Sequence, residues 1–288
     1  MLQGVWLPLI TPFSNGAVDE ASLARLTAHF ADDVDGFILA ATTGEGMVLD
    51  DDETERVIRT AAKVIGGHKP VFLGLCGSDT RRMEQRLRAT AAWPVDGYLI
   101  TCPYYSRPSQ EGIFRHFSLL ARAAERPVLV YNIPYRTGVN LANETLLRLA
   151  AEQRHIVGVK DCCADMAQSH DLLRRRPPGF AVLTGEDAQF FQAMAAGANG
   201  GILASAHAGP AAFAAVADAI TGGRLPEARR LWDRLTDLVR LLFAEPNPAP
   251  IKHLLWRRGL VASPELRLPM TGISAPLADR LEAWVAPD

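Results

Sequence analysis

The chain has 288 residues, 48% of them apolar and 22% charged, which is ordinary globular composition with enough length to bury a large core. A formal net charge of −2, with no long run of Lys or Arg, excludes the basic footprint of a nucleic-acid or anionic-membrane binder. No apolar run is long enough to form a transmembrane helix, and the composition is far from that of a disordered chain.

The first apolar run is VWLPLI (5–10); the N-terminus around it has neither a basic leader nor a small-residue cleavage site, so it reads as a strand rather than a signal peptide. A helix follows, with Leu23, Leu26 and Phe30 spaced three and four apart. GFILA (36–40) is the second strand, and the helix over 50–65 opens with Asp50, Asp51, Asp52 and Glu53, acidic residues that suit a helix N-terminus. VFLGL (71–75) precedes a helix over 79–92, and GYLI (97–100) precedes one over 109–125. VLVY (128–131) leads to a helix over 143–152, and IVGVK (156–160) to one near 165–175. AVLT (181–184) and GIL (201–203) are followed by helical patterns at 187–196 and 207–221. Further helical patterns lie at 224–243, 250–258 and 276–285.

Eight short apolar strands alternating with helices predict an α/β fold, a closed (β/α)8 TIM barrel over residues 1–222, with a C-terminal helical extension over 223–288. An open doubly wound sheet fits less well, because no glycine-rich dinucleotide fingerprint follows the first strand. The four cysteines, Cys76, Cys102, Cys162 and Cys163, have the spacing of neither a disulfide framework nor a zinc site, so they are expected as reduced thiols in a cytoplasmic protein. The seven histidines are scattered without ligand spacing, and no metal site is expected.

In such a barrel the chemistry lies at the C-terminal ends of the strands. Lys160, one of only four lysines, ends an apolar run. It reads either as a strand-end lysine paired with Asp161 or facing solvent, or as a dehydrated amine, lowered in pKa and able to attack a carbonyl. Tyr131 ends the neighbouring run, as a core tyrosine or as a proton shuttle. Thr42 and Thr43 lie in a glycine-flanked turn that forms an ordinary hydroxyl-capped turn or a carboxylate cradle. Arg136, in a Pro- and Gly-bounded loop, is a surface cation or a carboxylate fork. Tyr104 and Tyr105, beside prolines, are an interface plug or loop packing. Trp232, with Leu231 and Leu235, is a core or interface stripe. Glu45 and Glu186 are of the type that binds Mg2+, but nothing in the sequence pairs them.

With Thr42-Thr43-Gly44-Glu45, CPYYSRPSQEGIFRHF (102–117), YNIPYRTG (131–138), GVKD (158–161), EPNPAPIK (245–252) and LRLPMT (266–271) in this order, the chain resembles, nearly end to end, the dihydrodipicolinate synthase / N-acetylneuraminate lyase family of class I pyruvate-dependent aldolases. The resemblance implies that Lys160 forms an imine with pyruvate and that Tyr131 moves protons. It implies that Thr42 relays protons, with Tyr105 reaching in from a neighbouring subunit. Thr43 would bind the pyruvate carboxylate, Arg136 the carboxylate of aspartate semialdehyde, and Gly185 and Ile202 would line the pocket floor. It further implies a homotetramer built from two dimers and no metal or organic cofactor. The alternative within the same chemistry is an aldolase that cleaves a 2-keto-3-deoxy acid to pyruvate and an aldehyde.

Some positions depart from the family pattern. Ala41 stands where the family has glycine, Gly46 where synthases often have serine, and Asp161-Cys162-Cys163-Ala164 where they have Glu-Ala-Ser/Thr-Gly. At the positions that bind the feedback inhibitor lysine, Asp51, Thr54, Ser78 and Arg82 replace the His, Asn and Glu side chains, and only Tyr104 is kept; inhibition by lysine at millimolar levels is therefore not expected.

Overall fold

The computed structural model describes residues 2–285, so the last three residues of the expected extension lie outside the described residues. Eight parallel strands close into a barrel: β1 (Gly4–Pro8), β2 (Gly36–Leu39), β3 (Val71–Leu75), β4 (Gly97–Thr101), β5 (Val128–Asn132), β6 (Ile156–Asp161), β7 (Ala181–Thr184) and β8 (Gly200–Ile202). Each strand pairs with its neighbours in chain order, and β8 closes on β1. All eight apolar runs in the sequence are these strands. β1 ends at Pro8, two residues before the run does, although the Leu9 amide still donates to Ile38 O at 3.0 Å.

The main helices that follow the strands are α1 (Glu20–Phe30), α2 (Asp51–Ile65), α3 (Thr80–Ala89), α4 (Gln110–Ala123), α5 (Asn143–Glu152), α6 (Met166–Arg175), α7 (Phe190–Ala195) and α8 (Pro210–Thr221). Several start where a short polar side chain accepts from the first free amides: Asp19, Asp50, Asp79, Ser109 and Asp165. Asp50 and Glu53 form a reciprocal capping box, which explains the acidic cluster before α2.

Alternation along the strands makes two cores. One set of side chains packs between strands and helices. The other fills the barrel: Trp6, Ile38, Phe72, Leu99, Leu129, Tyr131, Cys162, Leu183 and Ile202. Trp6 and Phe72 meet edge-to-face, 5.2 Å between centroids, and close the N-terminal end. Gly36 permits this, because a Cβ there would lie 2.6 Å from the Trp6 ring. The bottom of the barrel is thus packed with apolar rings, and polar side chains collect at the opposite mouth.

After α8 come α9 (Leu225–Leu242), α10 (Ala249–Arg257) and α11 (Ala275–Leu281). Trp232 on α9 lies 6.2 Å from Phe190 and 6.4 Å from Phe213, centroid to centroid, so that stripe is core. No helix among the described residues is long and apolar enough to cross a membrane.

Candidate active site

β5 and β6 pair in a register that sets Tyr131 beside Lys160, with Thr101 next to Tyr131 on β4. Lys160 is only 5% exposed, and its Nζ lies 4.4 Å from the centroid of the Tyr131 ring. Asp161 is not its partner. One residue further along the strand, it faces away and accepts from Ser169 Oγ at 2.6 Å and from the Cys163 amide at 3.1 Å. Among the described residues Lys160 forms no ion pair. Burial is the main cause that lowers its pKa. The nearby Arg136 cation pushes the same way, against the opposing pull of Cys162, Asp187 and Glu186. More of the amine is therefore in the neutral, nucleophilic form than on a surface lysine.

Burial, with smaller contributions from Cys162 and Tyr135, raises the Tyr131 pKa well above its ordinary value. The phenol stays protonated at neutral pH, so it acts as a proton donor that must be reloaded. Cys162, two residues beyond Lys160, points to the same interior face as Tyr131, and burial pushes its thiol up to about 12. All four cysteines are free thiols, and Cys162 belongs to the site, a placement that the sequence left open. The signal for it is the two-residue strand period from Lys160.

Gly185, just after β7, is the residue whose lack of a side chain gives the lysine its room. A Cβ there would stand 2.3 Å from Lys160 Cε and 2.6 Å from Cys162 Sγ. Its amide donates to Asp161 O at 2.8 Å, which fixes the backbone against β6. Ile202, wholly buried at the end of β8, is part of the same interior cluster. Asp187 is held by the Ser205 amide at 2.7 Å and Ser205 Oγ at 2.5 Å; burial raises its pKa.

Across the mouth, Thr42 and Thr43 lie in a tight turn after β2. Thr42 and Tyr131 line one cavity, together with Gly74, Cys76, Leu99 and Thr101. Thr43 is 3% exposed, and its Oγ1 accepts from Asn247 Nδ2 at 3.0 Å. The turn is bounded by Ala40 and Glu45, both in the left-handed region with φ of 52°, a conformation that costs of order 1 kcal/mol or more per residue without glycine. Glu45 does have a partner: Lys252 Nζ lies 2.5 Å from its Oε1. Asn247 and Lys252 lie in the EPNPAPIK motif, but no local pattern assigns them to a turn some two hundred residues away.

Arg136 sits in a short helical turn (Pro134–Thr137), exposed at the rim, with its guanidinium 5.7 Å from the Tyr135 ring. Tyr105 is 93% exposed with φ of 67°, so within one chain it stands in solvent, away from the buried residues. Among the described residues no group of three or more His, Cys, Asp or Glu side chains is placed to hold a metal ion. His207, fully buried, accepts from the Ile10 amide at 3.2 Å and lies 2.7 Å from Ala204 O; burial lowers its pKa to about 4, a neutral structural imidazole.

A parallel (β/α)8 barrel with a buried, neutral-leaning lysine and a protonated tyrosine at its C-terminal mouth defines a class I aldolase-type lyase, an enzyme that works through a lysine imine. The chain belongs to the dihydrodipicolinate synthetase family, whose model matches residues 1–286. It is 40% identical over 285 residues to 4-hydroxy-tetrahydrodipicolinate synthase 2 of Clostridium acetobutylicum, covering 99% of both chains. Its fold superposes on the dihydrodipicolinate synthase of Thermotoga maritima with a TM-score of 0.96 at 30% identity, covering 99% of this chain and 98% of that one. It also superposes on the Cyanidioschyzon merolae enzyme with lysine bound, with a TM-score of 0.94 at 32% identity, covering 98% and 96%.

Proposed function

We propose that the protein is a 4-hydroxy-tetrahydrodipicolinate synthase, which condenses pyruvate with aspartate 4-semialdehyde. The observation that carries this reading is the buried Lys160 amine, without an ion pair among the described residues and 4.4 Å from the Tyr131 ring; the names of the relatives support the choice of substrates.

Neutral Lys160 attacks C2 of pyruvate, and the carbinolamine hydroxyl leaves as water once it accepts a proton from Tyr131. The protonated imine is an electron sink, so a C3 proton is lost and the enamine forms. The enamine carbon then attacks the aldehyde carbon of the second substrate, the new alkoxide takes a proton, and the amine of the semialdehyde attacks the imine carbon and displaces Lys160 as the free amine. Because the pKa of Tyr131 is raised, it hands each proton on while receiving another. Thr42 is the next member of the relay, and the exposed Tyr105 completes it from a neighbouring subunit in a homotetramer of two dimers. Thr43 and the adjacent backbone amides hold the pyruvate carboxylate. Arg136, at the rim, holds the carboxylate of the semialdehyde. Gly185 and Ile202 form the floor. The reaction runs in the cytoplasm and calls on no metal or organic cofactor.

Borohydride added with pyruvate should leave a reduced adduct on Lys160, read by peptide mass. Turnover with pyruvate and aspartate semialdehyde, coupled to dihydrodipicolinate reductase, should proceed at roughly 1–1000 per second. Arg136→Ala should raise the KM for the semialdehyde at least about tenfold, the loss of one charge-assisted fork. An adduct without turnover would replace this reading with cleavage of a 2-keto-3-deoxy acid.

A further inference from the structure

The C-terminal extension reaches the Thr42–Glu45 turn at three points. Asn247 Nδ2 donates to Thr43 Oγ1 at 3.0 Å, Lys252 Nζ lies 2.5 Å from Glu45 Oε1, and the Arg267 amide donates to Glu45 Oε2 at 3.3 Å. The Lys252 and Glu45 side chains are 1% and 2% exposed, so water does not screen the pair. Glu45 holds a left-handed backbone that only its surroundings can maintain. We propose that Lys252 is a positioning residue for the pyruvate carboxylate: its ion pair with Glu45 holds the strained turn that presents Thr43, and loss of the ammonium proton releases that turn. This rests on the reading that Thr43 and its turn hold the carboxylate of pyruvate.

The groups around the ammonium set when this happens. From the turn, Glu45 holds the charge on. From the segment after α10, Glu265 contributes its carbonyl at 2.8 Å and a favourable charge, while its carboxylate reaches the Gly16 amide at 2.8 Å. Arg267 opposes the charge, although its guanidinium is taken up by Glu53. From the hairpin after β1, the Phe13 ring lies 4.2 Å away. Burial outweighs the favourable contacts and brings Lys252 down to about 8. Below that pH the pair is intact. Above it the proton goes to solvent, and the buried Glu45 carboxylate loses its counter-charge.

The test is the pyruvate concentration that half-saturates borohydride trapping on Lys160, measured between pH 7 and 9 in the wild type and in Glu45→Gln/Lys252→Met. Lys160 titrates alike in both, so their ratio isolates Lys252. The ratio should rise about tenfold over that range, with the extent of trapping at saturation unchanged. Glu45→Gln alone should follow the double variant, since it too lacks the ion pair and its buried Lys252, without a counter-charge, favours the neutral amine, and it provides the comparison if the double variant does not fold. A merely structural pair would change the amount of competent protein and leave the half-saturation ratio flat. A flat ratio with Lys160 trapped in both proteins would overturn the proposal. Failure to trap Lys160 in the wild type would overturn the imine reading, and this proposal with it.

Discussion

Lys160 and Lys252 are both withdrawn from water, on opposite sides of the same mouth, and they are solvated in different ways. Lys160, near the end of a barrel strand, lies among Tyr131, Cys162 and the bare backbone of Gly185, without an ion-pair partner among the described residues. Lys252 is met by a carboxylate at 2.5 Å, a backbone carbonyl at 2.8 Å and an aromatic face at 4.2 Å. Burial pulls both pKa values down, and Lys252, where a contacting carboxylate pulls back, comes to about 8. A buried amine left unpaired is available as a reagent, whereas a paired one is a strut whose charge is already committed.

The sharpest way to break this comparison is to replace each lysine by methionine. Lys160→Met removes the nucleophile and leaves no orphaned charge. Turnover should fall at least about 1,000-fold while stability to urea stays the same or rises. Lys252→Met strands Glu45 in the interior and should cost about 3 kcal/mol of stability, much of which Glu45→Gln added to it should restore. If Lys160→Met proved the more destabilising of the two, the division between reagent and strut would be wrong.

Gly185→Ala probes the space around the reagent alone. The added methyl would arrive 2.3 Å from Lys160 Cε and 2.6 Å from Cys162 Sγ, so the amine must move. A displacement of about 1 Å at a reacting group is worth roughly 100-fold in rate. We expect a loss of that order in kcat, with a melting transition shifted by only a few degrees. Normal turnover would show that Lys160 is not fixed by this contact.

Legibility from sequence follows the same division. Strand periodicity and apolar runs located all eight strands, and a lysine ending a run of Ile, Val and Gly was visible as an oddity. Lys252 was not, because its meaning lies in Glu45, a partner 207 positions earlier. Thr43 and Asn247 are separated by 204 positions, and no local spacing reports such a contact. The left-handed backbone of Ala40 and Glu45 was equally hidden, since neither residue type signals it. Asp161 beside Lys160 invited a salt bridge, but the strand alternates its faces and sends the carboxylate to Ser169.

The smallest expected effect concerns the rim outside both lysine pockets. Free lysine carries one carboxylate and two ammonium groups, so a site for it needs acceptors and negative charge. On this chain the four positions in question offer little. Asp51 is 3.2 Å from the Arg86 guanidinium, and Ser78 Oγ is spent on Tyr104 O at 2.6 Å. Arg82 brings a cation where an ammonium would have to approach, and its ion-pair partner Asp79 already caps α3. The Thr54 hydroxyl donates to Asp50 O at 2.7 Å. Steady-state rates with lysine added up to millimolar levels should therefore remain within experimental error of the control. Inhibition would mean that the rim binds the amino acid through groups other than these four.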